Sequence, residues 1–241
     1  FTPEIFKSEY HTRMMSGIVD ALRQTNYDLE LIMVRDRDSI SSSEEIFKEY
    51  TLDGLLFATW RMHPKFIEEA YKQTDLPIVM INDFAPEIKS NMVYCDNRQG
   101  IRLALQHLSN RGYRKIGILH GPDDASLDSG KRFEYCKESL QEFGLSFDPE
   151  HYRKCEYFFE EDGYLNMMDI LQNSKSLPRV MLCFNDELAI GALKALKESW
   201  ISCPEQVAVI GYDGIEKGKY VHPPLTTIRQ PLEKMGGGMA K

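Results

Sequence analysis

Apolar residues recur along the chain in short blocks whose spacing alternates between helical and extended periods. Met15, Ile18, Val19 and Leu22 share one face of a helix over about residues 10–25. Leu29–Val34 reads as a strand, and Ile46, Phe47 and Tyr50, following Ser43 as a possible cap, mark a short helix. Gly54–Ala58 reads as a strand, Pro64–Gln73 as a helix with proline in its first turn, and Pro77–Ile81 as a strand ending at Asn82-Asp83. Asn91–Tyr94 is a short extended piece. Ile101, Leu105 and Leu108 then mark a helix that Gly112 stops. Lys115–His120 is a strand ending at Gly121-Pro122, and Phe133, Cys136, Leu140 and Phe143 trace a helix stopped by Gly144. Leu165, Met168 and Leu171 trace one more helix. Finally an apolar run, Val180–Phe184, halts at Asn185-Asp186, Leu188, Ala192 and Ala195 continue at helical spacing, and Val207–Ile210 is apolar again.

This strand–helix–strand alternation predicts an α/β fold with parallel sheets flanked by helices. The alternation restarts near residue 95, which predicts two similar lobes rather than one continuous sheet. Ligands of such sheets lie beyond the carboxyl ends of the strands, where Asn185, Asp186 and Asp213 fall. Asp186 has two readings at this level. It is a helix cap accepting backbone N–H bonds, or a carboxylate aimed at a ligand's hydroxyls or amines.

With 241 residues, 42% hydrophobic and 27% charged, the composition is that of an ordinary globular protein holding one large or two medium domains. No apolar run approaches the roughly 18 residues of a membrane helix, so no membrane partner is expected. The opening residues carry no signal-peptide progression. The chain starts and stops abruptly, as a piece of a longer protein would. A formal charge of −8 argues against a grip on a phosphate backbone by these residues alone. The five cysteines, Cys95, Cys136, Cys155, Cys183 and Cys203, are scattered without C-x-x-C spacing, so zinc and redox motifs are not expected. Free thiols fit a reducing, cytoplasmic compartment.

Enzyme motifs are weak. Ser129-Gly130-Lys131-Arg132 lacks both the upstream glycine of a phosphate loop, where Ala125 stands, and the hydroxyl residue after lysine. No G-x-G-x-x-G, H-E-x-x-H or G-x-S-x-G occurs. Asp123-Asp124 and Glu160-Glu161-Asp162 read as solvated loops. The expectation is a binding protein, not an enzyme, with no cofactor and no metal.

Phe-Asn-Asp-Glu-Leu-Ala-Ile-Gly-Ala (184–192), Val-Ile-Gly-Tyr-Asp (209–213) and Pro-Pro-Leu-Thr-Thr-Ile-Arg-Gln-Pro-Leu (223–232) resemble, in order and spacing, the effector-binding domain of LacI/GalR-family transcription regulators. The resemblance implies a type I periplasmic-binding-protein-like fold, with a ligand cleft between two lobes that the chain joins by three crossings. One lobe would hold residues 1–94 and 225–241, with Thr226–Arg229 as a strand, and the other 95–224. Pro231 onwards would start a helix, which Gly236-Gly237-Gly238 makes intrinsically poor.

The implied ligand is a small-molecule effector, a sugar or sugar phosphate. A helix-turn-helix headpiece preceding Phe1 would bind operator DNA, and the protein would be a homodimeric repressor. The rival reading is a periplasmic sugar-binding protein of a transport system. Arg132, at the family's spacing after Gly121-Pro122, is implied as a planar donor fork to the effector, although Tyr135 stands where the family has glycine. Tyr10 and His11 stand where the family places an aromatic pair, here after Ser8-Glu9 rather than Asn-Pro. Asn82 matches a strand-end position that often faces the ligand. Trp60, at another strand end, suits sugar stacking or rim packing on Arg61. With the resemblance added, Asp186 is favoured as a ligand contact opposite Arg132, and Asp213 is a weaker candidate with a structural alternative.

Overall fold

The computed structural model describes residues 8–32, 50–57, 64–81, 91–122 and 127–241. The chain forms two compact units. Unit 1 comprises Phe1–Cys95 and Pro231–Lys241, and unit 2 is the continuous segment Asp96–Gln230.

Unit 1 contains helix α1 (Glu9–Leu22), strand β1 (Leu55–Phe57), helix α2 (Pro64–Gln73), and strands β2 (Ile78–Ile81) and β3 (Asn91–Val93). The strands pair in parallel in the order β1-β2-β3. The last helix of the chain, α7 (Leu232–Met239), returns to this unit and packs on α1. Met14 and Ile18 from α1 are buried with Leu232, Met235 and Met239 from α7 and Ile81 from the sheet.

The helices α1 and α7 meet backbone to backbone. A Cβ added at Gly236 would lie 1.9 Å from the Met14 carbonyl oxygen, and one at Gly17 would lie 2.0 Å from that of Glu233. Only the absence of a side chain allows this approach. Arg13 closes the crossing with a fork to Glu233, Nε to Oε1 at 2.6 Å and Nη2 to Oε2 at 2.9 Å.

Unit 2 holds a five-stranded parallel sheet, ordered β5-β4-β6-β7-β8. These strands are β4 (Lys115–His120), β5 (Ser146–Lys154), β6 (Val180–Cys183), β7 (Ala208–Asp213) and β8 (Thr226–Arg229). Helices α3 (Asn97–Asn110) and α4 (Leu127–Leu140) cover one face, and α5 (Glu160–Asn173) and α6 (Asp186–Glu198) cover the other. Alternate residues of β6 and β7 serve the two cores. Val180, Leu182, Ile210 and Tyr212 pack with Ile101, Leu105 and Cys136, whereas Met181, Cys183 and Val209 pack with Met167, Leu188 and Ala192. Burial on both faces explains why these strands are continuous apolar runs rather than alternating ones. Burial also pushes the thiols of Cys136 and Cys155 up to about 12, so they act as small hydrophobes.

Three expectations change. Thr226–Arg229 pairs with β7, Asp213 opposite Arg229, so β8 belongs to the sheet of unit 2 rather than to the first lobe. A hydroxyl–carboxylate bond from Thr227 Oγ1 to Asp186 Oδ1, at 2.5 Å, fixes it there. The nine-residue strand β5 has no counterpart in the periodicity. It is an edge strand with Pro149 and a register irregularity opposite Ile116 and Ile118, where proline is tolerated. Of Leu29–Val34, the described residues 29–32 form no strand, and the rest, with the expected helix after Ser43, lies outside the described residues.

Candidate functional site

The carboxyl ends of β4, β6 and β7 deliver His120, Asn185 and Asp213 to one edge of the unit 2 sheet. Arg132, on α4, reaches this edge and is only 4% exposed. Its Nε donates to Asn97 Oδ1 at 2.8 Å and its Nη1 to the Phe184 carbonyl at 2.6 Å. Its guanidinium carbon stands 4.0 Å from the centre of the Tyr212 ring. Asn97 in turn donates through Nδ2 to Asp128 Oδ1 at 2.7 Å, and the Tyr212 hydroxyl donates to Asn97 Oδ1 at 3.4 Å. A buried cation is thereby held in one orientation by two acceptors and a ring face.

Asp213 is the last residue of β7, 5% exposed, with φ at 129°. A non-glycine residue rarely adopts that backbone, and it persists only where neighbours over-determine it. Here Gln230 supplies two bonds: its backbone N–H donates to the Asp213 carbonyl at 2.9 Å, and its Nε2 donates to Asp213 Oδ1 at 2.7 Å. Burial raises the Asp213 carboxyl well above its usual range, and the charge of Arg132 nearby opposes that rise.

Asp186 is not exposed at this edge. It is fully buried, and its Oδ2 accepts from the backbone N–H groups of Gly214, at 2.8 Å, and Ile215, at 2.9 Å. With Thr227 on Oδ1, its carboxylate is consumed by the chain. Nor is it the helix cap. Asn185 caps α6, accepting from the Leu188 N–H at 2.9 Å. Asp186 instead clamps the turn that follows Asp213, so it positions that carboxylate rather than adding its own.

In unit 1, Tyr10 and His11 begin α1 with their rings edge-on, centroids 5.2 Å apart. His11 Nδ1 is shielded from solvent with no hydrogen-bond partner among the described residues, and burial lowers the ring to about 4. Trp60 and Asn82 lie outside the described residues. The structure therefore gathers Arg132, Asp186 and Asp213 at one edge. Beside them it places Asn97, Asp128, Tyr212 and Gln230, which the sequence reading did not single out. Asn97 and Gln230 carried one legible sign each, the first opening a helix after an Asp96 cap and the second sitting within the Arg-Gln-Pro motif.

Glu187, beside Asp186, is raised to about 7, chiefly by burial, with Lys217 opposing and Glu160 and Asp186 reinforcing. A carboxyl raised in the folded state costs stability as it ionises, so unit 2 should lose stability as pH rises from about 4.5 to about 7. Glu187→Gln should flatten that slope and, at pH 8, recover up to about 3 kcal/mol. Melting temperatures of both proteins across the range check this, and parallel curves would refute it.

Chemically, the edge offers fixed donors and acceptors. No metal-ligand cluster occurs among the described residues. No helix among them is long and apolar enough to cross a membrane.

The periplasmic binding protein-like domain family matches residues 105–241. The HTH-type transcriptional repressor CytR of Escherichia coli (strain K12) is 29% identical over 211 residues, 86% of this chain and 60% of its own length. PurR of Pasteurella multocida, also an HTH-type transcriptional repressor, is 29% identical over 233 residues, covering 95% of this chain and 68% of its own. The chain thus spans about three-fifths to two-thirds of these relatives. A LacI family transcriptional regulator from Enterococcus faecium with bound ribose superposes with a TM-score of 0.83 at 26% identity, over 99% of this chain and 86% of that one. The chain belongs to the periplasmic binding protein-like domain family.

Proposed function

We propose that this domain senses a small molecule for a DNA-binding transcriptional repressor. The ligand binds at the carboxyl edge of the unit 2 sheet, where Arg132 and Asp213 hold it. Tyr10, His11, Trp60 and Asn82 are further ligand contacts that the sequence resemblance proposes. The observation that carries this reading is Asp213, a carboxylate held in a strained backbone conformation beside an oriented guanidinium at the end of a parallel sheet. Such a group is the kind a ligand-binding site retains against its local cost. The relatives named as repressors favour regulation over the transport alternative.

The ribose bound to the Enterococcus faecium regulator supports a sugar or a sugar-containing molecule as effector. Headpieces N-terminal to this chain would contact operator DNA as a homodimer in the cytoplasm. The effector acts only through its different affinity for two conformations of the regulator.

Asp213→Asn tests the site with little risk to the fold, because the amide oxygen still accepts from Gln230. It should weaken the effector at least about tenfold, about 1.4 kcal/mol, in calorimetry. Arg132→Lys, which loses the planar fork, should do the same. Unchanged affinity in both variants would remove the site from this edge.

A further inference from the structure

We propose that one proton, held between the carboxyl groups of Glu160 and Glu187, latches the turn that follows Asp213 onto the helices of unit 2, so that this turn loosens as the solution becomes alkaline. Three elements meet at the latch. Glu160 opens α5, Glu187 is the second residue of α6, and Lys217 stands on the 3-10 turn Glu216–Lys219.

The carboxyl groups of Glu160 and Glu187 are in hydrogen-bond contact. They cannot part by a shift of the helices, because α5 and α6 cross there backbone to backbone. A Cβ on Gly191 would lie 2.0 Å from the Glu160 carbonyl oxygen, and one on Gly163 would lie 2.2 Å from that of Leu188. Two ionised carboxylates offer each other only acceptors, so their contact requires a proton on one of them. Lys217 makes the third side. Its Nζ is bonded to Glu160 and lies 3.9 Å from Glu187 Oε2.

Charged groups face Glu187 from each neighbouring element. Glu160 on α5 and Asp186 on its own helix repel its ionised form, and Lys217 on the turn attracts it. The N-terminal amides of α6 also favour the charge. Asp213 on β7 is raised foremost by its own burial and in part by Glu187, with Arg132 opposing. Burial is the largest influence on Glu187, and it holds the carboxyl at about 7 against an ordinary 4.5. The folded arrangement therefore favours the protonated form, and that advantage is lost as pH rises from about 4.5 through about 7.

The turn is held at two points. Asp186 Oδ2 takes the N–H groups of Gly214 and Ile215, and Lys217 ties the next turn of chain to α5 and α6. Beyond the first point, the Gly218 N–H donates to the Ile215 carbonyl at 3.2 Å and the Leu225 N–H to the Gly218 carbonyl at 2.8 Å. When the proton leaves, two carboxylates compete for one ammonium and the second point gives way, while the sheet beneath stays intact. The expected signature is a local release, distinct from a loss of stability spread over the whole unit.

The test is amide hydrogen exchange of the full chain by NMR at about pH 6 and about pH 8, corrected for base catalysis, in the wild type and two variants. In the wild type, Gly218 and Leu225 should lose protection at least about tenfold at the higher pH. Cys155 and Phe184, bonded to the His120 and Leu119 carbonyls of β4, should keep theirs. Glu187→Gln, whose amide donates to Glu160 at every pH, should abolish the change. Lys217→Gln should leave the turn poorly protected at both pH values. The Glu187 carboxyl carbon should titrate at about 7, and that of Glu160 should shift with it. Equal pH dependence in the wild type and Glu187→Gln overturns the latch. So does a loss of protection shared by Cys155 and Phe184, or a Glu160 carbon that stays still while Glu187 titrates.

Discussion

Asp186→Ala should cost unit 2 about 4 kcal/mol, enough to unfold it or leave it marginal. Three donors converge on this carboxylate in a fully buried setting: the N–H groups of Gly214 and Ile215 and the hydroxyl of Thr227. Each is left unsatisfied by alanine, at about 1–3 kcal/mol per group. The space left behind also undoes packing, because a Cβ on Gly211 would sit 2.2 Å from Asp186 Oδ1, which shows how closely that oxygen abuts β7. Against a total stability of about 5–15 kcal/mol this is a large fraction. Asp186→Asn should fall in between, since one amide oxygen can serve the backbone pair while its NH₂ repels none but the Thr227 hydroxyl, which can rotate. Urea denaturation of the full chain measures both. Wild-type midpoints with lost effector affinity would return Asp186 to the role of ligand contact that the sequence suggested.

The second large effect concerns the glycine triplet of α7. Alanine in a helix ordinarily gains about 1 kcal/mol over glycine. At Gly236 the sign should reverse, with Gly236→Ala losing more than about 3 kcal/mol. Its Cβ would lie 1.9 Å from a backbone oxygen of α1, which cannot swing aside as a side chain can. The helices must separate, and Met14, Ile18, Leu232, Met235 and Met239 lose their common core. Gly237→Ala is the control. Its Cβ meets the Gly17 carbonyl at 3.4 Å and Ala21 at 4.0 Å, ordinary contact, and it should be neutral or mildly stabilising. Hydrogen exchange of α1 in the two variants separates them, and equal protection would refute the account. One of three consecutive glycines is thus obligatory, a distinction that composition alone cannot make.

What the sequence revealed follows from how local each signal is. The strand Lys115–His120 was legible residue for residue, because every position from Ile116 onwards is buried and the run ends at Gly121-Pro122. Gly112 and Gly144, both with positive φ, mark helix ends by their own chemistry. Strand β5 was hidden because an irregular edge strand shows no alternation. Strand β8 was visible as an extended piece, but the sheet that accepts it is decided by Thr227 and Asp186, 41 residues apart. The same logic governs the site. Arg132 and Asp213 stand at positions that motifs point to. The office of Asp186 depends on amides 28 and 29 residues downstream, which spacing cannot see.

The pairing of α1 with α7 also bears on the order in which a nascent chain acquires structure. The fork from Arg13 to Glu233 joins residues 220 positions apart. During synthesis α1 emerges well before α7, and its Met14 and Ile18 stay uncovered until the residues between them have been translated. The inserted segment Asp96–Gln230 is continuous and can finish folding in that interval. Chaperone dependence should consequently centre on α1, whose packing partner lies so far along the chain.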